Sequence, residues 1–246
     1  MILGLLLVAA CGNNGSLSSD LLPSPNGQYV TYSDDYAYAV AVYAPQSSGI
    51  CSGTRIAENK ILTASHCTER SGTFVVRNAD FYASGSQVVR LGSGSVGDPN
   101  DLAVITLNNI SRDDAPESKQ RIAPIGTQAV LGETLRLTGV GCDDVIAKSG
   151  IGQMRTGTNL VYERSDLLTF ISPLESVHRV AGSNNRASSC AGDSGGGWIR
   201  QTPNGDEVVG VVHAGGNDGQ TQESLAVDTA NEDNVDFLRS NGATLR

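Results

Sequence analysis

Cys190-Ala191-Gly192-Asp193-Ser194-Gly195-Gly196-Gly197 sets a serine in a run where most neighbours are glycine. Glycine lets the backbone turn sharply and lets a ligand approach main-chain N–H groups. A nucleophilic serine with an oxyanion site beside it requires both. Taken alone the segment also fits a flexible loop, so the reading depends on what the rest of the chain supplies.

Two further segments supply it. Ile61-Leu62-Thr63-Ala64-Ser65-His66-Cys67 ends an apolar, β-prone run in a histidine, and Asn100-Asp101-Leu102-Ala103-Val104-Ile105-Thr106-Leu107 begins another with an aspartate. A serine hydroxyl is a weak nucleophile at neutral pH and needs a base within hydrogen-bond reach. A histidine base in turn needs a carboxylate to fix its tautomer and stabilise the imidazolium. His66, Asp101 and Ser194 offer these groups in that chain order.

The three segments resemble the triad motifs of the trypsin/chymotrypsin-like serine proteases, and the likeness runs over roughly residues 37 to 240. It implies an all-β fold: two packed antiparallel six-stranded β-barrels with the site in the cleft between them, and a short C-terminal helix. It implies peptide-bond hydrolysis through an acyl-enzyme, peptide or protein substrates, no cofactor and no metal. Residue by residue, it makes Ser194 the nucleophile, His66 the general base and then acid, and Asp101 the orienting carboxylate. The backbone N–H groups of Gly192 and Ser194 become the oxyanion hole. Two positions depart from the family: Ser65 stands where alanine is usual, and Gly197 where proline is. Two other readings of the same residues remain: a non-catalytic binding module on a protease scaffold, and an esterase or transferase using the same acyl chemistry.

In the family the carboxylate equivalent to Asp193 pairs with a buried cation, often an N-terminal ammonium released ahead of an Ile-Val-Gly-Gly sequence. This chain has no such sequence. A buried unpaired carboxylate is costly, so another cation is implied. Arg136 is the candidate, because bacterial relatives use an arginine from this region; an exposed Arg136 is the plainer alternative. The floor of the family's substrate pocket lies six positions before the nucleophile (194 − 6 = 188), which gives Ser188. Serine there argues against selectivity for Lys or Arg. Ser189, Gly215 and Ala226 complete a short, neutral pocket. His213 replaces the family's usual serine. It and the tail from Asn231 to Leu238 give some resemblance to bacterial glutamyl endopeptidases, where a histidine helps hold a substrate carboxylate. The alternative is that His213 hydrogen-bonds Asp101 from behind.

Composition agrees with this class. Glycine is abundant, with 29 residues, and short apolar runs alternate with turn signals, as in an all-β domain. A formal net charge of −9 argues against nucleic-acid binding. Strands are expected over 36–43, around the turn at Glu58-Asn59, and over 73–77, 87–91, 102–107, 133–139, 159–162, 206–213 and 223–227, with helical spacing over 234–239. The polar stretch 111–120 suits the connection between barrels. The protease domain is expected over 36–246, with barrel 1 at about 36–120 and barrel 2 at about 121–246.

The first ten residues, 1–10, read as the apolar core of a signal peptide, too short to span a bilayer. Val8-Ala9-Ala10-Cys11 looks like a bacterial lipoprotein processing site that would leave a lipidated Cys11 on a tether over 11–35; cleavage as an ordinary secretory signal is the alternative. The protein is thus expected in a bacterial cell envelope, lipid-anchored and facing the periplasm or exterior, or otherwise secreted. Five cysteines are an odd number for an exported chain, and assigning Cys11 to lipid leaves four. The resemblance pairs Cys51 with Cys67 around the histidine and Cys142 with Cys190. The three histidines, His66, His178 and His213, lie far apart in sequence and no CxxC occurs, which argues against a zinc site. On this reading the mature protein carries lipid on Cys11. Intact-mass measurement of protein from a bacterial envelope is expected to show the added mass there, and an unmodified Cys11 in the mature chain would contradict it.

Overall fold

A computed structural model of the chain describes residues 36–44, 49–78, 81–112, 121–142, 148–173 and 187–246. The expected leader, tether and Cys11 lie outside the described residues, as do His178 and most of the inter-barrel stretch 111–120.

The fold is all-β, with two antiparallel sheets and one helix, α1, over Glu232–Ser240. The first sheet has eight strands: β1 (Ala39–Tyr43), β2 (Ile50–Ala57), β3 (Lys60–Thr63), β4 (Phe74–Asn78), β5 (Phe81–Gly85), β6 (Gln87–Arg90), β7 (Ala103–Thr106) and β8 (Asn109–Arg112). They run in the order β6-β7-β3-β2-β1-β4-β5-β8. The second sheet has seven: β9 (Thr134–Gly139), β10 (Arg155–Leu160), β11 (Glu163–Arg164), β12 (Leu167–Pro173), β13 (Gly197–Thr202), β14 (Gly205–Asn217) and β15 (Thr221–Asp228). Their order is β10-β9-β13-β14-β15-β12-β11. Six strands per barrel were expected. The counts of eight and seven arise because short edge strands, β6 and β8 in one sheet and β11 in the other, pair with the longer ones. Strands β5, β11, β12 and β13 fall in stretches that the pattern of residues left unassigned, and β8 runs into the stretch 111–120 expected as the connection between barrels.

Burial follows from period-two alternation. In β4 the side chains of Phe74 and Val76 face inward while Val75 and Arg77 are half-exposed. Strand β1 is buried along its whole length, as a central strand must be. One apolar cluster fills the first sheet around Val40, Ile61, Phe74 and Ile105. A second fills the other sheet around Leu135, Phe170, Trp198 and Val209. A third joins the two sheets, bringing Tyr38, Leu62 and Leu102 against Val208, Val211 and Leu238 of α1. The helix carries Glu232 and Asp233 in its first turn and Arg239 in its last, the arrangement its dipole favours. Two disulfides form, Cys51–Cys67 and Cys142–Cys190, with Cα–Cα separations of 6.2 and 5.4 Å. These are the pairs that the resemblance implies.

Trp198 is the largest fully buried side chain, and its ring stacks on Phe170 with centroids 3.7 Å apart and planes 6° from parallel. Trp198→Ala therefore removes about 3–5 kcal/mol of stability. Urea unfolding measures it, and a loss under about 1 kcal/mol would show that this cluster is not the core of the second sheet.

Candidate active site

Strand register brings His66 to Asp101. Strand β3 pairs with β7 so that Thr63 faces Ala103. His66 follows three residues after Thr63 in a single 3-10 turn, Ser65–Thr68, and Asp101 lies two residues before Ala103. Asp101 is fully buried. Its Oδ1 accepts the His66 backbone N–H at 2.9 Å, and its Oδ2 accepts His66 Nδ1–H at 2.7 Å. A third bond comes from the other sheet: His213 Nδ1–H donates to the same Oδ2 at 2.6 Å. His213 occupies a β-bulge, where the pairing of β14 with β15 slips between Val212 and Ala214. A bulge re-aims a side chain, and here it turns an imidazole of the second sheet onto a carboxylate of the first.

These bonds fix protonation states. Burial raises the Asp101 carboxyl, but the hydrogen bonds from His213 and His66 outweigh it, and the group sits well below the usual aspartate range. A carboxylate can only accept, so both histidines carry their proton on Nδ1. His213 Nε2 accepts the backbone N–H of Gly97 at 2.9 Å. The neutral tautomer of His213 is thereby set at both ends. His66 keeps Nε2 as an acceptor, the state a general base requires. Of the two roles open to His213, the geometry shows the hydrogen bond to Asp101, and the side chain is 1% exposed.

The loop over Ser93–Asn100 is folded around Asp98. That carboxylate accepts the backbone N–H groups of Ser93, Gly94 and Asn100 at 2.7, 3.1 and 2.9 Å. Desolvation raises Asp98, and these hydrogen bonds bring it to a net value below the ordinary one. The result presents Gly97 N–H to His213 and packs Gly94 against the His66 backbone. Ser65, unusual for the family, donates its hydroxyl to the Gly92 carbonyl at 2.8 Å and ties this loop to the histidine turn.

Ser194 sits in the loop before β13, with Gly192 and Gly195 at φ +99° and +81°. Those angles suit glycine alone. Neighbouring N–H groups are taken: Asp193 N donates to Cys190 O, Gly195 N to Val212 O and Gly196 N to Asp193 O. The N–H groups of Gly192 and Ser194 donate to no described residue. Two unengaged donors flank the hydroxyl, as an oxyanion site requires. The loop meets the histidine segment through its backbone, since Cys67 Sγ lies 3.6 Å from the Ser194 carbonyl. Ser194 Oγ is buried and makes no hydrogen bond among the described residues, to His66 included.

Asp193 is fully buried, and its carboxylate accepts Gly141 N–H at 2.9 Å and Cys190 N–H at 2.7 Å. A Cβ on Gly139 or Gly141 would collide with this carboxylate, so the Thr138-Gly139-Val140-Gly141 segment has to be glycine-rich. Arg136 lies elsewhere in β9, its Cζ 5.1 Å from the centroid of the Tyr36 ring. The arginine beside the Asp193 loop is Arg155, which is 1% exposed and donates Nη1–H to the carbonyls of Gly141 and Gly150, both at 2.6 Å. One glycine, Gly141, thus gives its N–H to the anion and its C=O to the cation. Ser52 is a further residue that motif reading missed. From the first sheet it donates Oγ–H to Gly192 O at 2.8 Å, accepts Val140 N–H at 2.9 Å, and gives its own N–H to Ser194 O at 2.8 Å.

The expected pocket residues group in part. Ser188 Oγ lies 2.9 Å from Ser224 Oγ, which also accepts the Ser189 N–H at 2.8 Å. Gly215 faces Ser189 Oγ. Ala226 is fully buried in the apolar cluster of the second sheet. Asp228 is ion-paired with Arg164 at 2.8 Å. As for metals, the sulfurs of Cys51 and Cys67 beside His66 are joined in a disulfide, and the facing atoms of His66, Asp101 and His213 are hydrogen-bonded to each other.

A His–Asp couple and a glycine-bracketed serine, held between two antiparallel β-sheets, define the two-barrel class of serine hydrolase folds. Residues 26–236 match the Trypsin family model. A relative named Lectizyme, from Glossina austeni, is 30% identical over 187 residues, covering 67% of each chain. The chain belongs to the trypsin family of serine proteases.

The Asp101 geometry sets a pH response. Its carboxyl lies lower in the folded chain than in the unfolded one, so its contribution to stability is present above the unfolded value of about 3.9 and is lost as pH falls through the folded value. Unfolding free energy measured from about pH 6 down to about pH 2 is expected to fall more steeply for the wild type than for Asp101→Asn. Parallel curves would mean that Asp101 holds no such bonds.

Proposed function

We propose that the protein is a serine endopeptidase that forms an acyl-enzyme at Ser194 and does not select Lys or Arg before the scissile bond. The observation that carries the reading is the Asp101 Oδ2 bond to His66 Nδ1–H, which reserves Nε2 of that ring for a proton. In the first step Ser194 Oγ turns to His66, gives up its proton to Nε2 and attacks the substrate carbonyl carbon. The carbonyl oxygen becomes an oxyanion held by the N–H groups of Gly192 and Ser194. Each such donor contributes about 3–4 kcal/mol to transition-state stabilisation. His66, now an imidazolium balanced by Asp101, returns the proton to the leaving amine. Water repeats the sequence to release the acid. In resting enzymes the serine–histidine bond is often long and tightens only with substrate bound, which fits the unengaged Ser194 hydroxyl.

Exclusion of Lys and Arg rests on Ser188 at the pocket floor and on Asp228, whose charge is already matched by Arg164. A substrate cation desolvated without a counter-charge loses several kcal/mol. We also propose export to a bacterial envelope, with Cys11 as the lipid site. Support comes from the disulfides, which use four of the five cysteines and require an oxidising compartment. The protease domain is proposed to span 36–246 with its barrels divided near 120, consistent with first-sheet strands ending at Arg112 and second-sheet strands starting at Thr134.

Ser194→Ala and His66→Ala are each expected to abolish peptide turnover down to the residual level of about 10³–10⁴-fold over water that binding and the oxyanion site retain. Steady-state kinetics on correctly folded variants, judged by circular dichroism, is the check. Wild-type rates in either variant would overturn the mechanism.

A further inference from the structure

Beside the loop of the proposed nucleophile, two buried polar atoms have no hydrogen-bond partner among the described residues: Ser189 Oγ and Gln222 Oε1. Both residues are 3% exposed. Burying a polar atom without a bond is unfavourable by about 1–3 kcal/mol, and two such atoms on residues that share a neighbour point to a ligand that bonds to both. Both residues border Gly215. A Cβ built there would lie 3.0 Å from the Glu223 carbonyl, 3.1 Å from Ser189 Oγ and 3.2 Å from Gln222 Nε2, so any residue larger than glycine would press on both side chains. Gln222 Nε2 donates to the Glu223 carbonyl at 3.2 Å, which holds the amide in place and leaves Oε1 as the atom without a bond.

Other polar groups of this region are already engaged. Ser188 and Ser224 share a hydrogen bond, and Ser224 Oγ fixes the Ser189 N–H. His213 is held by Asp101 and Gly97, and Asp228 by Arg164. The segment is tied to the Ser194 loop by Gly195 N to Val212 O at 2.8 Å and Val212 N to Gly196 O at 2.9 Å. It thus adjoins the bond to be cut.

Resting on the protease reading above, we propose that Ser189 and Gln222 select a side-chain carboxamide, glutamine or asparagine, immediately before the scissile bond. The carboxamide N–H donates to Gln222 Oε1, and its C=O accepts from Ser189 Oγ–H. A carboxylate offers no donor and sets its oxygen against Oε1. An ammonium offers donors but brings a charge that none of these groups balances. An apolar side chain leaves both atoms unbonded. Sites built to bond a substrate polar group reject analogues lacking it more strongly than apolar pockets reject a size change.

The test uses the full chain and a set of peptides differing only at that position: Gln, Asn, Glu, Leu and Lys. The kcat/KM for Gln or Asn is expected to exceed that for each of the other three by about tenfold or more. In Gln222→Leu the Gln:Leu ratio falls by at least about tenfold, and in Gln222→Glu the Lys:Gln ratio rises by a similar factor. Ratios within one variant do not depend on how much of it folds, and a purely structural role for Gln222 would not move the preference toward a cation. Cleavage led by Leu, Glu or Lys in the wild type overturns this inference alone. If no peptide of the set is cut, the protease reading fails and this inference with it.

Discussion

A single buried carboxylate joins the two halves of this molecule. Asp101 belongs to the first sheet, yet it accepts hydrogen bonds from a histidine on each side of the cleft, His66 and His213. Burial alone would push its proton back on; three N–H donors keep it off. An ionised group with no exposure is stable only while those donors stay in place. The constraint therefore runs both ways. The sheets hold the charge, and the charge holds the sheets in a relative position where the histidine turn meets the Ser194 loop at Cys67. The bulge at His213, the Asp98-centred loop that offers Gly97 N–H, and the β3–β7 register all serve this one geometry.

A second buried carboxylate, Asp193, shapes the other side of the site. It draws in Gly141 N–H and Cys190 N–H, and Arg155 approaches the same peptide segment from behind. Asp193 lies within the loop that carries Gly192 and Ser194, so its bonds set where those two N–H groups point. The disulfide Cys142–Cys190 links the same two segments covalently. Ser52 then ties the loop to the first sheet with two hydrogen bonds and accepts a third from Val140 N–H. The proposed oxyanion site is thus held from both sheets, as electrostatic pre-organisation requires.

Much of this could be read from the chain before any coordinates. His66, Asp101 and Ser194 sit in short motifs whose chemistry is local, and the disulfide pairs follow from the family likeness. Strands with clear alternation or long apolar runs were legible as well. Parts that depend on contacts between residues distant in sequence were not. Ser52, Arg155 and Ser224 look like ordinary strand residues, and their contacts exist only because a partner some 14 to 140 positions away arrives beside them. Short edge strands such as β8 and β11 form by pairing with strands already in place, so their own residues carry little signal. Arg136 fits the family position for a counter-cation and lies over Tyr36, while another arginine, the buried Arg155 of the next strand, reaches Gly141 beside Asp193, which no motif signals. His213 had two chemically sensible roles, and its bond to Asp101 becomes visible only once the bulge has placed the ring.

The central claim is that the Asp101–His66 couple activates Ser194. Reaction with a fluorophosphonate, followed by mapping of the modified peptide, tests it most directly. The account predicts covalent label on Ser194 in folded wild-type protein, with the rate of labelling reduced by several orders of magnitude, about 10⁴-fold, in Asp101→Asn, where the histidine tautomer is no longer held. Folded wild-type protein that takes no label, or Asp101→Asn protein that labels at the wild-type rate, would contradict it.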